Sequence, residues 1–218
     1  MIVELVGPAG AGKTTLARGA SDADASIKSG LSLWGLPRRR LMRSAMALLP
    51  TILGATMERA PLKAAEIAQM VRLGALRQVV EEEAQRHRVI LLDEGPVFAL
   101  SWLDVFFNRN GDRVPAGWRA RVIDQWASML DLVVFIDATD ITLANRIRTR
   151  DKPHMVKTMS DAEIFGFSAG FRRAFERTIG ELAQVGDLHI DTLSTETGLQ
   201  DENTAELMSR LKLRRNGH

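Results

Sequence analysis

The start of the chain constrains the fold more than any other feature, because a short apolar run leads into a glycine-rich turn and then a helical pattern. Ile2–Val6 predicts a buried strand, Gly7–Gly12 a turn, and Lys13–Ala20 a helix. Val89–Leu92 and Asp131–Ala138 are further apolar runs of the same kind. Strands that are apolar on both faces and alternate with helices predict a parallel sheet covered by helices on each side.

The rest of the chain continues this alternation. We expect a short strand near Ile27, a last strand over Leu188–Asp191, and a loop over Asn108–Pro115. Helical patterns cover Arg38–Leu49, Leu62–Arg86, Val97–Phe107, Gly117–Leu130, Thr142–Arg150, Asp161–Gln184 and Asn203–Leu213. Trp118 and Trp126 recur at helical steps, which favours core positions over a ligand platform.

The most apolar run of the chain is Leu41–Met57. It is shorter than the ~20 residues that a membrane-spanning helix needs, and it contains Arg43 and Pro50. We expect a pair of buried helix segments broken at Pro50, because proline removes a helix hydrogen bond. The alternative is a helix that lies on a membrane surface, led by the basic run Arg38–Arg40.

Composition narrows the class of protein. The 218 residues carry a formal net charge of +2, from 29 Lys and Arg against 27 Asp and Glu, so we expect no nucleic-acid partner. The absence of cysteine excludes disulfides and thiolate metal sites, and the four histidines are scattered. Met1–Glu4 lacks the basic flank of a signal peptide. We therefore expect a soluble, cytoplasmic protein without stable membrane insertion.

The turn after the first strand matches Gly-x-x-x-x-Gly-Lys-Thr, the P-loop or Walker A pattern, over Gly7–Thr14. Its glycines let backbone amides converge on phosphate oxygens, and the following helix adds its positive dipole end. Lys13 is expected to bridge the β- and γ-phosphates of ATP, and Thr14 to bind Mg²⁺. The candidate nucleotide-binding residues are Gly7, Ala9, Gly10, Ala11, Gly12, Lys13, Thr14 and Thr15.

An acidic pair follows the apolar run Val89–Leu92. Asp93 is the candidate second ligand of Mg²⁺, because it closes a strand that should lie beside the P-loop strand. Glu94 stands next to it, and two acids at the mouth of a phosphate site need a cation between them. The cofactors predicted by these residues are ATP and Mg²⁺.

A basic segment, Leu143–Lys157, places Arg146 and Arg150 four residues apart on one helix face. Alone, such a segment is usually a solvated surface. Together with a P-loop, its cations suit the negative charge on a phosphoryl group in transfer. Both arginines therefore join the lysine and the acidic pair as candidate catalytic residues.

The order of these motifs resembles that of thymidylate kinases and deoxynucleoside kinases. The matching features are the P-loop, the strand that ends at Asp93, the arginine pattern after Asp137, and the final strand His189–Thr192. The resemblance implies a P-loop NTPase fold of the α/β class, a three-layer α/β/α sandwich with a five-stranded parallel sheet. It also implies a single kinase domain over residues 1–218.

The same resemblance implies how the site is arranged. A LID over about residues 144–160 would carry the two arginines, and an acceptor-side helical region would cover about residues 30–60. The turn after Thr192 would line the adenine pocket. Dimerisation through a helix such as Leu62–Arg86 is common in that family, which makes a homodimer an open alternative.

The chain departs from thymidylate kinases in several places. Those enzymes carry Asp-Arg-Tyr where this chain has Asp93–Gly95, and their base-reading Ala-Tyr-Gln falls on Ser101–Leu103. Their acidic-arginine element has no clear counterpart in the stretch KSGLSLWGLP. An arginine on their preceding helix corresponds to Arg72, with Arg77 as the competitor. These departures argue against a thymidylate substrate, although the phosphotransfer residues are retained.

The acidic pair also bears on what accepts the phosphate. A monophosphate arrives ionised and needs only cations, whereas a hydroxyl must lose a proton to a base. Deoxynucleoside kinases present a glutamate where this chain has Glu94, which favours a hydroxyl of a nucleoside-like or other small metabolite, with Glu94 as base. Arg38–Arg40 and Arg72 favour a nucleoside monophosphate instead. The apolar segment after Arg40 would bind a bulky or apolar acceptor, or it would only cover the site as a helix. Trp34 and Trp102 are expected on the acceptor side, either stacked on a base or sugar or packed in the core.

A third alternative is a P-loop ATPase or GTPase that acts as a conformational switch, with Glu94 orienting a water. The sequence has no Asn-Lys-x-Asp guanine reader and no downstream sensor domain, which argues against a switch. A catalytically silent binding protein is disfavoured because Lys13, Thr14 and Asp93 are all present. The identity of the acceptor and the choice between ATP and GTP stay open.

Overall fold

The structure is a computed structural model that describes residues 1–58, 61–107, 115–151, 153–196 and 199–216. These residues form five strands: β1 (Ile2–Val6), β2 (Ile27–Leu31), β3 (Val89–Leu92), β4 (Leu132–Asp137) and β5 (His189–Ser194). They also form eight helices: α1 (Lys13–Ala23), α2 (Arg38–Met57), α3 (Ala64–Glu83), α4 (Pro96–Phe107), α5 (Ala116–Ala127), α6 (Asp140–Thr149), α7 (Asp161–Val185) and α8 (Gln200–Asn216).

The five strands form one parallel sheet in the order β2-β3-β1-β4-β5. The strand that precedes the P-loop, β1, is central and pairs with β3 and β4. In this register Glu4 lies opposite Leu92 of β3 and Val133 of β4. Because parallel strands end at the same edge of a sheet, the P-loop after β1 and Asp93 after β3 lie side by side.

Helices cover both faces of the sheet, because successive residues of each buried strand point to opposite faces. Ile2 and Val6 of β1 belong to one core, which also contains side chains of α2, α3, α4, α5 and α7. Val3 and Leu5 belong to the other core, with side chains of α1, α6 and α8. The three-layer α/β/α sandwich with a five-stranded parallel sheet is confirmed.

The expected helix break at Pro50 is wrong. Helix α2 runs from Arg38 to Met57 with Pro50 inside it. Buried residues lie on both sides of the proline, Leu48 before it and Ala55 after it, and α2 packs mainly against α3. Packing of both halves offsets the hydrogen bond that proline cannot donate. The helix is also not buried all round, since five of its large apolar side chains are exposed: Met42, Met46, Leu49, Leu53 and Met57.

The other expected elements are present with shifted ends. Helix α6 begins before the expected position, because Thr139 caps it by accepting a hydrogen bond from the amide of Thr142. Trp118 and Trp126 are buried in the core, as expected. Residues 108–114 of the expected loop lie outside the described residues. In the part of the chain that the structure describes, no helix combines the length and the apolar character needed to cross a membrane.

Candidate active site

The glycine-rich turn between β1 and α1 has the backbone geometry of a phosphate-binding loop. Gly10 and Gly12 have φ angles of 87° and 90°, which L side chains rarely adopt. A side chain at Gly10 would also come within 2.9 Å of the backbone of α6. Lys13 Nζ donates to the carbonyl oxygens of Gly7 and Pro8 at 2.6 and 3.0 Å. The lysine therefore folds back over the loop, at the place where phosphate oxygens would bind.

The first turn of α1 is well suited to an anion. Gly12, its N-cap, provides no side-chain cap, and no acidic residue lies in the first turn. The amides there consequently have no side-chain partner, and the positive dipole end of the helix is not neutralised. Thr14 and Thr15 are exposed in this turn. All the predicted nucleotide-binding residues between Gly7 and Thr15 line one cavity.

The charge of Lys13 responds to its surroundings. Burial lowers the pKa of Lys13 to about 8, while the nearby carboxylates of Asp93 and Glu94 act to raise it. Arg150 lowers it further, because two cations close together repel. A bound polyphosphate would add negative charge here and keep the lysine protonated.

The acidic pair lines the same cavity as Lys13. Burial and the charge of Asp93 raise the pKa of Glu94, and this rise is partly offset by Lys13 and by a hydrogen bond from the Trp34 indole. The Oε2 atom of Glu94 is buried and accepts no hydrogen bond from any described residue. A carboxylate with a raised pKa and an unpaired oxygen is well suited to accept a proton.

A further acid, Glu4, lies behind the acidic pair, and we did not predict it from the sequence. Its carboxylate accepts hydrogen bonds from the backbone amides of Gly95, Val97 and Phe98 at 2.9 to 3.0 Å. These amides open α4, so Glu4 caps that helix from a neighbouring strand. Burial raises the pKa of Glu4 to about 7, although the three amides act to lower it. The sequence carried one sign of this role: Glu4 is an acid inside an otherwise apolar strand, and a buried acid needs hydrogen-bond partners.

The two predicted lid arginines occupy different positions. Arg146 donates to the carbonyl and hydroxyl oxygens of Thr195 at 2.6 and 3.0 Å, and to the Gly10 carbonyl at 3.5 Å. It therefore ties α6 and the P-loop to the turn after β5. Arg150 follows the end of α6 and lines the cavity. Thr195, in the turn after β5, lines the cavity too.

A cavity of about 910 Å³ joins the phosphate loop to a wall of aromatic side chains. One part of its lining comprises the P-loop, the acidic pair and the two arginines. The described residues of α4 and α7 contribute only aromatic side chains to it: Phe98, Trp102, Phe106, Phe167, Phe171 and Phe175. The acidic pair immediately precedes α4 and so joins the two parts. Other lining residues that we did not predict are Leu16, Arg18, Asp151, Pro153, His154, Met155, Gln200 and Asn203.

The aromatic wall is continuous across α4 and α7. The ring centres of Trp102 and Phe106 are 5.0 Å apart, those of Phe106 and Phe171 are 6.0 Å apart, and those of Phe167 and Phe171 are 4.9 Å apart. These are normal distances for tilted and edge-on aromatic packing. Only Trp102 was predicted at this wall. The phenylalanines of α7 recur four residues apart, a spacing that places them on one helix face.

Trp34 and Arg72 form a small group beside Glu94. The Arg72 guanidinium lies 4.2 Å from the centre of the Trp34 ring, in a cation–π contact. The Trp34 indole reaches Glu94, and the residue is 59% exposed. Neither Trp34 nor Arg72 is among the residues that line the cavity. Arg77, the competing candidate, pairs with Glu81 on its own helix. The structure therefore brings Arg72, and not Arg77, to Trp34.

Comparisons with known proteins support the fold. No protein-family profile and no curated protein matches the sequence. Among solved structures, the chain is similar to deoxyadenosine kinase from M. mycoides with dCMP and dCDP bound, at a TM-score of 0.60, 16% identity, and coverage of 98% of this chain and 100% of that one. The chain has the fold of a P-loop kinase. It is also similar to thymidylate kinase from Candida albicans, at a TM-score of 0.58, 15% identity, and coverage of 100% and 93%.

The metal that a P-loop kinase fold implies is compatible with the residues present. No group of three or more His, Cys, Asp or Glu side chains in the described chain could hold a metal by itself. Mg²⁺ usually takes one or two protein ligands and completes its shell with phosphate oxygens and water. Thr14 and Asp93 both line the cavity and would supply those protein ligands.

Proposed function

We propose that the protein is a small-molecule kinase that transfers the γ-phosphate of Mg-ATP to a hydroxyl group of a small, uncharged acceptor. The proposed enzyme is a single P-loop kinase domain over residues 1–218, with a lid over about 144–160 and an acceptor-side region over about 30–60. The observation that carries the proposal is the shared cavity, in which a phosphate loop and an aromatic wall meet at Asp93 and Glu94.

The phosphate side of the proposal rests on charge. Bound Mg-ATP supplies the phosphoryl group, and the residues of the chain position it and offset its charge. Lys13 would exchange the carbonyl oxygens that it now contacts for phosphate oxygens. Arg150 is close enough to Lys13 to affect its pKa, so the two cations would act on the same phosphates. Arg146 would hold the P-loop against the turn after β5.

The acceptor side rests on Glu94. A hydroxyl that attacks a phosphoryl group must lose its proton, and a base with a raised pKa takes that proton more readily at neutral pH. The buried Oε2 of Glu94 has no described partner that would compete with the hydroxyl. A hydroxyl at hydrogen-bond distance from this oxygen would satisfy it.

The aromatic wall supports an uncharged acceptor with a flat or apolar part. Aromatic rings bind such groups by stacking and by burial, and they cannot compensate for the desolvation of a second anion. The side chains that α4 and α7 contribute to the cavity, within the described residues, carry no charge.

A nucleoside monophosphate kinase is the second candidate, and Arg72 is the observation that favours it. Its guanidinium is held over Trp34, whose indole reaches Glu94, and on this side of the site it would bind an acceptor phosphate. On this alternative Glu94 is not a base, because an acceptor phosphate is already ionised.

A screen for acceptor-dependent ADP release tests the proposal. Purified protein is mixed with Mg-ATP and with nucleosides, nucleoside monophosphates, sugars and aromatic or apolar alcohols in turn. We expect stimulation by an uncharged alcohol and little release without an acceptor. Stimulation by monophosphates alone would favour the second candidate. A high rate without any acceptor would contradict kinase activity and favour the ATPase or GTPase switch.

A further inference from the structure

The exposed face of α2 carries a row of large apolar side chains, which we call the α2 stripe. Its members are Met42, Met46, Leu49, Leu53 and Met57, and they are 52% to 85% exposed. Their spacing of three or four residues places all five on one side of the helix, opposite the buried side. Monomeric proteins rarely leave a continuous apolar surface of this kind uncovered.

Positive charge lies at the beginning of the α2 stripe. Arg38, Arg39 and Arg43 are exposed, and none of them forms an ion pair with a described residue. Arg38 and Arg39 precede the stripe by one helical turn, on the same side of the helix. Arg40 points the other way and pairs with Glu82 of α3. Helix α2 itself contains no acidic residue.

We propose that α2 docks the protein on an anionic membrane surface. The α2 stripe would enter the lipid interface, and Arg38, Arg39 and Arg43 would contact lipid phosphates. An apolar stripe combined with arginines and no acids is the pattern of a helix that lies in the plane of a membrane. Such docking leaves the fold unchanged, because the side of α2 that packs on α3 is the opposite one. This inference does not depend on the proposed kinase activity.

Charge favours a lipid surface over a second copy of the chain. Two copies paired through their α2 stripes would bring together helices with four arginines each and no acids within them. The single acid that follows the helix, Glu58, cannot balance the three exposed arginines. An anionic lipid surface supplies the missing negative charge. Unbranched methionine side chains also adapt readily to a fluid apolar surface.

Vesicle sedimentation tests the proposal. The full chain is incubated with vesicles of phosphatidylcholine alone or of phosphatidylcholine mixed with phosphatidylglycerol, and the bound fraction is measured. We expect binding to the mixed vesicles only. Leu53→Glu should lower that affinity by about tenfold or more. Replacing Arg38, Arg39 and Arg43 together with glutamine should lower it on the order of a hundredfold, since each arginine contributes about fivefold near an anionic surface.

The control is Leu213→Glu, which makes the same substitution at a leucine of α8 that is 71% exposed. It should leave vesicle binding unchanged, and circular dichroism should show that every variant is folded. Absence of wild-type binding to the anionic vesicles would overturn the proposal. Binding that survives both α2 variants would overturn it too. A dimer in light scattering that Leu53→Glu dissociates, without vesicle binding, would assign the stripe to a second copy.

Discussion

Replacing Glu4 with glutamine removes an ionisable group from beneath the acidic pair while preserving its size. Glu4 is fully buried and accepts three backbone hydrogen bonds at the start of α4. Burial raises its pKa from the ordinary 4.5 to about 7. Glutamine keeps one acceptor oxygen and replaces the other with an NH2 group that only donates, so the variant loses one acceptor for these amides at every pH and has no group that titrates.

The direction and size of the effect follow from proton linkage. Since the folded-state pKa lies above the unfolded value, the folded protein binds more protons between pH 4.5 and about 7. The stability contributed by Glu4 is therefore full at low pH and is lost as the pH rises through 7. Between pH 5 and pH 8 this loss amounts to about 2 to 3 kcal/mol. Because glutamine does not titrate, the free energy of unfolding of Glu4→Gln minus that of wild type should grow by this amount from pH 5 to pH 8.

Urea unfolding at several pH values, followed by tryptophan fluorescence, measures this difference. Lys13, with a pKa of about 8, is present in both proteins, and because the charge of Glu4 acts to raise that pKa, its titration cancels only in part as the pH approaches 8. Glu196→Gln is the control. Hydrogen bonds from Thr139 and Thr142 lower the pKa of Glu196 below its ordinary value, so this variant should differ from wild type by a constant amount between pH 5 and pH 8.

A difference between Glu4→Gln and wild type that stays constant within about 0.5 kcal/mol from pH 5 to pH 8 would refute the reasoning. It would mean that the three amides and the helix dipole hold Glu4 ionised in the folded protein, despite its burial.

Three further predictions concern the cavity. Lys13→Ala should abolish phosphoryl transfer and leave the fold intact by circular dichroism; an active variant would remove the P-loop from the mechanism. Glu94→Gln should lower kcat on the order of a hundredfold or more with little change in the KM for ATP. In the wild type, kcat/KM should also fall at low pH, with a pKa above 4.5, because burial raises the pKa of Glu94. The Glu94→Gln variant should lose this fall at low pH. An unchanged turnover of Glu94→Gln would indicate an acceptor that is already ionised. Trp102→Ala should raise the KM for the acceptor about tenfold or more and leave the KM for ATP unchanged, and equal effects on both would contradict an acceptor wall at α4.

The parts of the site that could be predicted are those written in consecutive residues. The P-loop follows from the glycines and Lys13, because a run of a few residues specifies its own backbone shape. Asp93 followed from its place after an apolar strand, because strand ends meet at one edge of a parallel sheet. Predictions from the sequence were less accurate where packing between elements determines the local structure. The proline in α2 indicated a break, yet buried residues on both sides of Pro50 keep the helix whole.

By itself, the sequence determined the class of fold and the phosphate loop, because apolar periodicity and glycine positions act over short distances along the chain. Only the tertiary structure decided which distant residues share the cavity. It brought Glu4 beneath α4, placed phenylalanines of α7 opposite Trp102, and brought Arg72 over Trp34. Such contacts depend on how helices and strands pack against one another, and the spacing of residues in a single chain does not encode that packing locally.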